Sequence, residues 1–312
     1  MNKNLLELLA CPECGSSDLV LDEDTLICSD CLARYPIQNG IPQMLPVHLA
    51  AALREKGSYI DRLRASMDGE ETGEPDKKDV DRFMWEHYLY DWGREVIYRS
   101  SEAAERFSLY SERGAGSLRR LLWRVVGDVR GKRILYVGSG NDRLLSLPLE
   151  RDGAFMVNLD VVSDCLEDLV GLGAGNCVCG DVRRLPFRDD AFDVVFSKGS
   201  IHHCHPIAEP LKQMSRVLGV GGHIIVAEPR KVYEQDKSGL GCPSPYESGV
   251  SIREVVAALG CEGISRFQIG ALTYAPPSAP SLIARLWEVL GNALPWLFSR
   301  FAFEFIVYGR KI

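Results

Sequence analysis

The stretch Ile134-Leu135-Tyr136-Val137-Gly138-Ser139-Gly140-Asn141 decides how this chain is read. An apolar run that stops at two glycines one residue apart describes a buried strand ending in a tight turn. Glycine lets the backbone approach a ligand there, and the following helix offers its amino end. The signal is weak alone and gains its weight from the strand ends further along the chain. A second predicted strand, Phe155–Leu159, ends in Asn158-Leu159-Asp160, where a carboxylate can accept both ribose hydroxyls of a nucleoside. Further strands are predicted at Cys177–Cys179, Asp193–Ser197 and His223–Ala227, with helices near 142–150, 163–170 and 206–218 between them. This alternation predicts an α/β fold, a doubly wound and mostly parallel sheet with ligands beyond the carboxyl ends of its strands.

Motifs recur at those ends. Gly180-Asp181-Val182 follows the third strand, Ser197 closes the fourth, a Gly221-Gly222 turn precedes the fifth, and Ala227-Glu228-Pro229 ends it. The series over residues 133–230 resembles the class I S-adenosylmethionine-dependent methyltransferases, closest to the group of ubiquinone and menaquinone biosynthesis enzymes. A nicotinamide dehydrogenase is the fold-level competitor, but its pattern has no place for Gly180-Asp181 or Gly221-Gly222. The resemblance implies S-adenosylmethionine as cofactor. It assigns Gly138, Ser139 and Gly140 to the methionine and ribose part, and Asp160 with Val161 to the ribose end. Asp181 falls to the adenine amino group, Val182 to a backbone contact, and Ser197 to the border of the transferred methyl. Two departures stand out. Tyr136 occupies a position that is often acidic in the family, and Asp142 occupies that of a third glycine. Asp142 is the candidate to replace the missing acid.

Methyl transfer asks mainly for positioning, because a sulfonium is already electrophilic. A general base is needed only where the acceptor must lose a proton. His202 and His203 follow the fourth strand, where the acceptor is expected, and are the candidate catalytic residues. The competing readings are packed structural histidines, or a metal site with His205 and Cys204. The second is poor, because neighbouring ligands on one loop rarely point at one ion.

Upstream, Cys11-Pro-Glu-Cys14 and Cys28-Ser-Asp-Cys31 form two CxxC knuckles, a spacing that places four thiolates around Zn²⁺. Leu19–Leu21 and Thr25–Cys28 flank the acidic turn Asp22-Glu23-Asp24 and read as a β-hairpin. The whole of residues 3–46, including Tyr35-Pro36-Ile37 and Gly40-Ile41-Pro42, resembles the small zinc-ribbon proteins that activate tRNA and protein methyltransferases. By that resemblance, residues 1–48 are a zinc ribbon with a structural metal at Cys11, Cys14, Cys28 and Cys31, able to dock a protein partner or its own catalytic domain.

Residues 49–80 are polar and charged and read as a linker whose first part can be helical. Residues 81–312 are then the methyltransferase domain. Its amino-terminal segment, 81–130, opens with five aromatics and a histidine between Phe83 and Trp92, a groove-filling helix or a lid over the cleft. Arg119, Arg120, Arg124, Arg130, Lys132 and Arg133 make a basic cluster, either a solvated face or an anion or RNA contact. Beyond a loop at 231–249, a helix is predicted at Ser251–Leu259. Strands follow at Gly263–Ile269 and Phe303–Gly309, which in this fold form an antiparallel edge pair. Between them lies the apolar insertion 271–300, read as buried core, as a cap over the acceptor, or as a surface for a lipid-linked substrate; its charges Arg285 and Glu288 weigh against membrane contact.

Composition bounds the function. The net charge is −7, and residues 1–48 alone hold 2 basic and 7 acidic residues, so a clamp on nucleic acid is disfavoured though not excluded. Leu9-Ala10-Cys11 resembles a lipoprotein cleavage site, but Glu7 breaks the apolar stretch before it. No run is long enough to span a membrane, and the expected location is cytoplasmic. The six cysteines outside the knuckles are expected to be reduced and mostly buried. The reading is therefore a methyltransferase acting on a small molecule such as a natural product, a sugar or a lipid-like intermediate. An rRNA or tRNA base methyltransferase and a non-catalytic scaffold are its competitors.

Overall fold

The computed structural model describes residues 2–53, 56, 80, 82–87, 89–90, 101–230, 249–275 and 279–312. The loop predicted at 231–249 lies outside the described residues except for Gly249, as do most of the linker, Tyr88, Trp92 and Cys242.

The parallel part of the sheet is formed by β5 (Arg133–Val137), β6 (Phe155–Asp160), β7 (Cys177–Gly180), β8 (Phe192–Lys198) and β9 (Leu218–Pro229). Parallel strands are covered on both faces, so they read as continuous apolar runs. Their interiors are accordingly buried throughout. The order β7-β6-β5-β8-β9 reverses direction at β5, and this switch point is where ligands bind in open α/β sheets. β10 (Ile264–Thr273) and β11 (Glu304–Lys311) complete that edge as the antiparallel pair expected. The Gly221-Gly222 turn lies inside β9. Between Phe192↔Leu218 and Val194↔His223 the pairing slips, and Gly221 takes φ +76° to allow it.

The ribbon is the other edge. β1 (Leu19–Asp22), β2 (Thr25–Cys28), β3 (Arg34–Gln38) and β4 (Ile41–Met44) form an antiparallel run, with the predicted hairpin in register Leu19↔Cys28 to Asp22↔Thr25. β4 then pairs in parallel with β7, Gln43 opposite Cys179 and Met44 opposite Gly180. One eleven-stranded sheet, β1-β2-β3-β4-β7-β6-β5-β8-β9-β11-β10, therefore runs through both parts of the chain. A second seam lies alongside. Leu9 bridges Phe187, the Ala10 amide donates to Pro186 O (3.0 Å), and the Arg188 amide donates to Leu8 O (2.9 Å). Leu9 and Cys11, within the sequence that resembles a cleavage site, are thus buried in this seam, and Leu9, Tyr35 and Met44 share one apolar cluster with Leu185 and Phe187.

The helices are α1 (Lys3–Leu6), α2 (Val47–Ala52), α3 (Ser101–Val125), α4 (Arg143–Arg151), α5 (Ser163–Gly171), α6 (Ala208–Val217), α7 (Ile252–Cys261), α8 (Ser281–Ala293) and α9 (Pro295–Phe298). α2, the start of the expected linker, buries Leu49 in a cluster with Ile41, Phe83, Met84, Leu166 and Leu169. The helical residues 82–87 thus fill a groove between ribbon and α5, and Tyr90 Oη donates to Asp168 Oδ2 (2.6 Å). α3 covers the sheet through Ala115, Leu118 and Leu122.

Of the three readings of the insertion, buried core does not describe α8. Of α8, only Ala284 and Gly291 are buried, while Leu282, Leu286 and Val289 are exposed. An apolar composition does not say which face a helix buries, and this one packs through its small residues. Among the remaining cysteines, Cys165, Cys177 and Cys179 are buried, Cys204 is half-buried and Cys261 is exposed.

Candidate functional site

The carboxyl ends of β5, β6, β8 and β9 bring most of the singled-out residues together. β5 ends in Gly138 (φ +63°) and Gly140 (φ +50°), both left-handed, where a side chain is strained. At Gly138 a Cβ would collide with the Ser200 side chain, whereas at Gly140 it would meet nothing within 4 Å. The loop is thus packed against the protein at its first glycine and open at its second. The Ser139 amide donates to Leu159 O (3.0 Å), and the Gly140 amide donates to Asp160 Oδ2 (2.8 Å). The other oxygen of Asp160 accepts from the Val162 amide (3.0 Å). Burial pushes the Asp160 carboxyl up, opposed by those two amides.

Asp142 caps α4, accepting from the Leu144 amide (3.0 Å). Its second oxygen accepts from the buried Tyr136 hydroxyl (3.0 Å), with Lys198 Nζ at 3.7 Å. The two departures noted in the sequence are therefore one feature, since the tyrosine in the acid's place holds the acid in the glycine's place. Asp181, one strand beyond Asp160, caps the 3-10 turn Val182–Arg184 through the Arg183 amide (2.9 Å). The Arg183 guanidinium grips the same carboxylate in a fork, with Nη2 2.7 Å from Oδ2 and Nε 3.1 Å from each oxygen.

The fourth strand leads to a centre that sequence reasoning missed. Glu228, fully buried at the end of β9, accepts at Oε1 from Ser197 Oγ (3.2 Å) and from the Ser200 and Ile201 amides (3.3 and 3.2 Å). Its Oε2 lies 2.7 Å from His202 Nδ1. A carboxylate there calls for a proton on Nδ1. Ser200 Oγ shares a hydrogen bond with Ser197 Oγ (2.8 Å) and donates to Val137 O (3.3 Å), tying this turn to the glycine loop. The signal for Glu228 was present in Ile224-Ile225-Val226-Ala227-Glu228, an acid closing a fully apolar strand.

His203 turns the other way. Its Nδ1 lies 3.0 and 3.1 Å from the two oxygens of Glu86 on the 82–87 segment, and Arg82 Nη2 donates to His205 O (3.0 Å). Burial works to raise the Glu86 carboxyl, but the charge of His203 and its hydrogen bond outweigh it and hold Glu86 below the usual range. The two histidines are therefore unequal, one locked to the sheet and the other to the aromatic segment.

Among the described residues, the group of metal-ligating side chains that converges is Cys11, Cys14, Cys28 and Cys31, whose Sγ atoms all lie within 4.8 Å of one another. The Cys11–Cys31 and Cys14–Cys28 separations are 3.5 Å, near the ~3.8 Å edge of a tetrahedron with Zn–S bonds of about 2.3 Å. The four thiols thus fit a closed zinc site. The hydroxyl of the buried Tyr35 lies 3.0 Å from Cys11 Sγ, where it can donate to a thiolate. The basic cluster sits elsewhere. Arg133 opens β5, and Arg119, Arg120 and Arg124 lie on the last turns of α3, at the amino ends of the strands. Arg130 is paired with Asp128 and Arg133 with Asp193.

This arrangement defines a class I methyltransferase fold with a four-cysteine ribbon added at its edge. Comparison with known families agrees. Residues 135–226 match the methyltransferase domain family, and residues 2–40 match the Trm112p-like protein family. The ubiquinone/menaquinone biosynthesis C-methyltransferase UbiE of Nitrosospira multiformis is 30% identical over 152 residues, 45% of this chain and 62% of that protein. A malonyl-[acyl-carrier protein] O-methyltransferase of Marinomonas sp. is 26% identical over 137 residues, 42% of this chain and 50% of its own length. The chain thus spans less than two thirds of either relative. A Thermotoga maritima S-adenosylmethionine-dependent methyltransferase, possible histamine N-methyltransferase, superposes with a TM-score of 0.50 at 16% identity, over 70% of this chain and 99% of its own. The chain carries a class I S-adenosylmethionine methyltransferase domain joined to a Trm112p-like zinc ribbon.

Proposed function

We propose that this chain transfers the methyl group of S-adenosylmethionine to a small-molecule acceptor that gives up a proton, in the chemical range of a quinol, an acyl group or another lipid-like intermediate. The observation that carries the reading is the buried His202–Glu228 pair at the switch point, tied through Ser197 and Ser200 to the glycine loop. Bound at that loop, the cofactor would supply an electrophilic methyl. Gly138, Ser139 and Gly140 offer it backbone, and Asp160 accepts from its ribose hydroxyls. Asp181, held by Arg183, turns remaining lone pairs to the adenine amino group, with Val182 beside it. Ser197 borders the methyl. Glu228 orients His202 and stabilises its imidazolium, so His202 takes the acceptor's proton at Nε2. His203, held by Glu86, ties residues 82–87 to the turn that carries His202. The quinone biosynthesis in the name of one relative is compatible with a small molecule, the other relative's acceptor being an acyl group on a carrier protein. The placement of the basic cluster at the amino ends of the strands also favours a small molecule over RNA.

Calorimetry with S-adenosylmethionine, followed by transfer of labelled methyl to extracted small molecules and to extracted RNA, tests this. Binding is expected, with label in the small-molecule fraction. His202→Gln should lower kcat by about 10²–10⁴-fold with cofactor affinity retained. Failure to bind the cofactor sinks the enzyme reading, and label confined to RNA replaces the acceptor class.

A further inference from the structure

The insertion between β10 and β11 has its faces reversed. Ala284, Glu288 and Gly291, at helical spacing, form the inward stripe of α8. Glu288 Oε1 accepts from the Tyr274 amide (2.9 Å), and a Cβ at Gly291 would land in the Tyr274 ring. The outward stripe is apolar, with Leu282 79%, Leu286 59% and Val289 65% exposed, continued past α8 by Trp296 at 76%. An amphipathic helix in water turns the opposite stripe out. From Ser281 to Phe301 the charges other than the inward Glu288 are Arg285 and Arg300, both exposed. Among the described residues neither guanidinium sits in an ion pair, so the outward charge is purely cationic.

The place of this surface is set by the sheet. Thr273 of β10 and Pro229 of β9 both pair with Glu304, so the insertion leaves the body at the carboxyl edge that also carries the glycine loop, His202 and Glu228. Apolar side chains and indoles suit the boundary between headgroups and acyl chains, and guanidinium groups suit lipid phosphates. A second copy or a protein partner would also bury the apolar area, but neither accounts for outward charge of one sign. No described helix is long and apolar enough to cross a membrane, so contact of this kind lies in the interface plane.

We propose that α8 and α9 are a docking surface for an anionic lipid bilayer, seating the carboxyl edge of the sheet against the membrane. Docking rests on the insertion alone; that it presents a lipid-like acceptor to His202 rests on the function proposed above. The full chain is sedimented with vesicles of phosphatidylcholine, alone or mixed with phosphatidylglycerol. It is expected to bind the mixed vesicles about tenfold more tightly or better. Leu286→Glu with Trp296→Glu should reduce binding by at least about tenfold at unchanged melting temperature. Arg285→Glu with Arg300→Glu should abolish the preference for anionic vesicles. The proposal is overturned if wild-type protein does not sediment with vesicles, or if the Leu286 and Trp296 substitutions leave binding intact. It is also overturned by a dimer that those substitutions dissociate without vesicle affinity, which assigns the face to a second copy. Vesicle binding is read without methyl transfer, so docking and catalysis fail separately.

Discussion

Gly138→Ala tests whether the glycine loop and the turn after β8 form one unit. The substitution acts twice. An alanine at φ +63° sits in the left-handed region, at a cost of about 1–2 kcal/mol. Its Cβ also falls on Ser200 Cβ and Oγ, so Ser200 must move. Moving it breaks the hydrogen bonds of its hydroxyl with Ser197 (2.8 Å) and Val137 O (3.3 Å), each worth about 0.5–1.5 kcal/mol. The loss is therefore about 2–5 kcal/mol, with a fall in cofactor affinity because Gly140 is displaced. The two parts separate in a double-mutant cycle. Ser200→Gly removes the obstructing Cβ, whereas Ser200→Ala keeps it and loses only the hydroxyl. In urea denaturation Gly138→Ala should cost about 1–2 kcal/mol in the Ser200→Gly background, and visibly more in the Ser200→Ala background. Equal costs in the two backgrounds would refute the steric coupling, and an unchanged midpoint in the single variant would refute the strain argument altogether.

Removing zinc should be felt far from the cysteines. Chelation, or Cys11→Ser, is expected to abolish the bound zinc and to lower the melting temperature of the whole chain in one transition, because β4 and β7 share a sheet; a separate, unshifted transition of the catalytic part would contradict this. The Glu86–His203 contact predicts a pH dependence. The Glu86 carboxyl is held below its usual range in the fold, so its stabilisation is complete above the unfolded value of about 4.3 and is lost as pH falls through the lower folded value. Glu86→Gln should melt below wild type at neutral pH, and the gap should close under acid conditions. A gap that persists or widens in acid would show that the carboxylate charge is not what matters.

Much of the catalytic fold was legible because parallel strands are buried on both faces. The predicted strands at 134–137, 155–159 and 177–179 fall within one residue of those observed. Gly221-Gly222 misled because a glycine pair serves a turn and a bulge equally well, and only the partner strand distinguishes them. The insertion's readings stay open in the sequence for a related reason, since hydropathy records how apolar α8 is but not that Gly291 sets which face meets Tyr274. Of the candidate site, the glycines, Asp160 and His202 are legible in the sequence because they stand at or just past strand ends. Glu228 was read only as the end of a strand, because its role depends on backbone amides donated by the neighbouring turn.

The seating of the ribbon was the least legible feature, because it is made by backbone groups and small contacts far apart in the chain. Its physical sense lies in β7. Cys177, Val178 and Cys179 are fully or nearly buried, and a strand of this kind left at an edge would expose unpaired amides and carbonyls along an apolar ridge. β4 pairs with that edge over only two residues, Gln43 and Met44, too little to hold two separate molecules together by hydrogen bonds alone. The contact is carried instead by apolar burial on both sides of the seam, Leu9, Tyr35 and Met44 on one face and Ile41, Leu45 and Leu49 on the other. Covalent linkage lets so short a pairing persist, because the ribbon meets β7 at the effective concentration of its own chain. The helical residues 82–87 then close the seam from outside. Met84 packs against the ribbon while Glu86 reaches His203, so the metal-bearing edge and the candidate catalytic turn are mechanically joined through one helical segment.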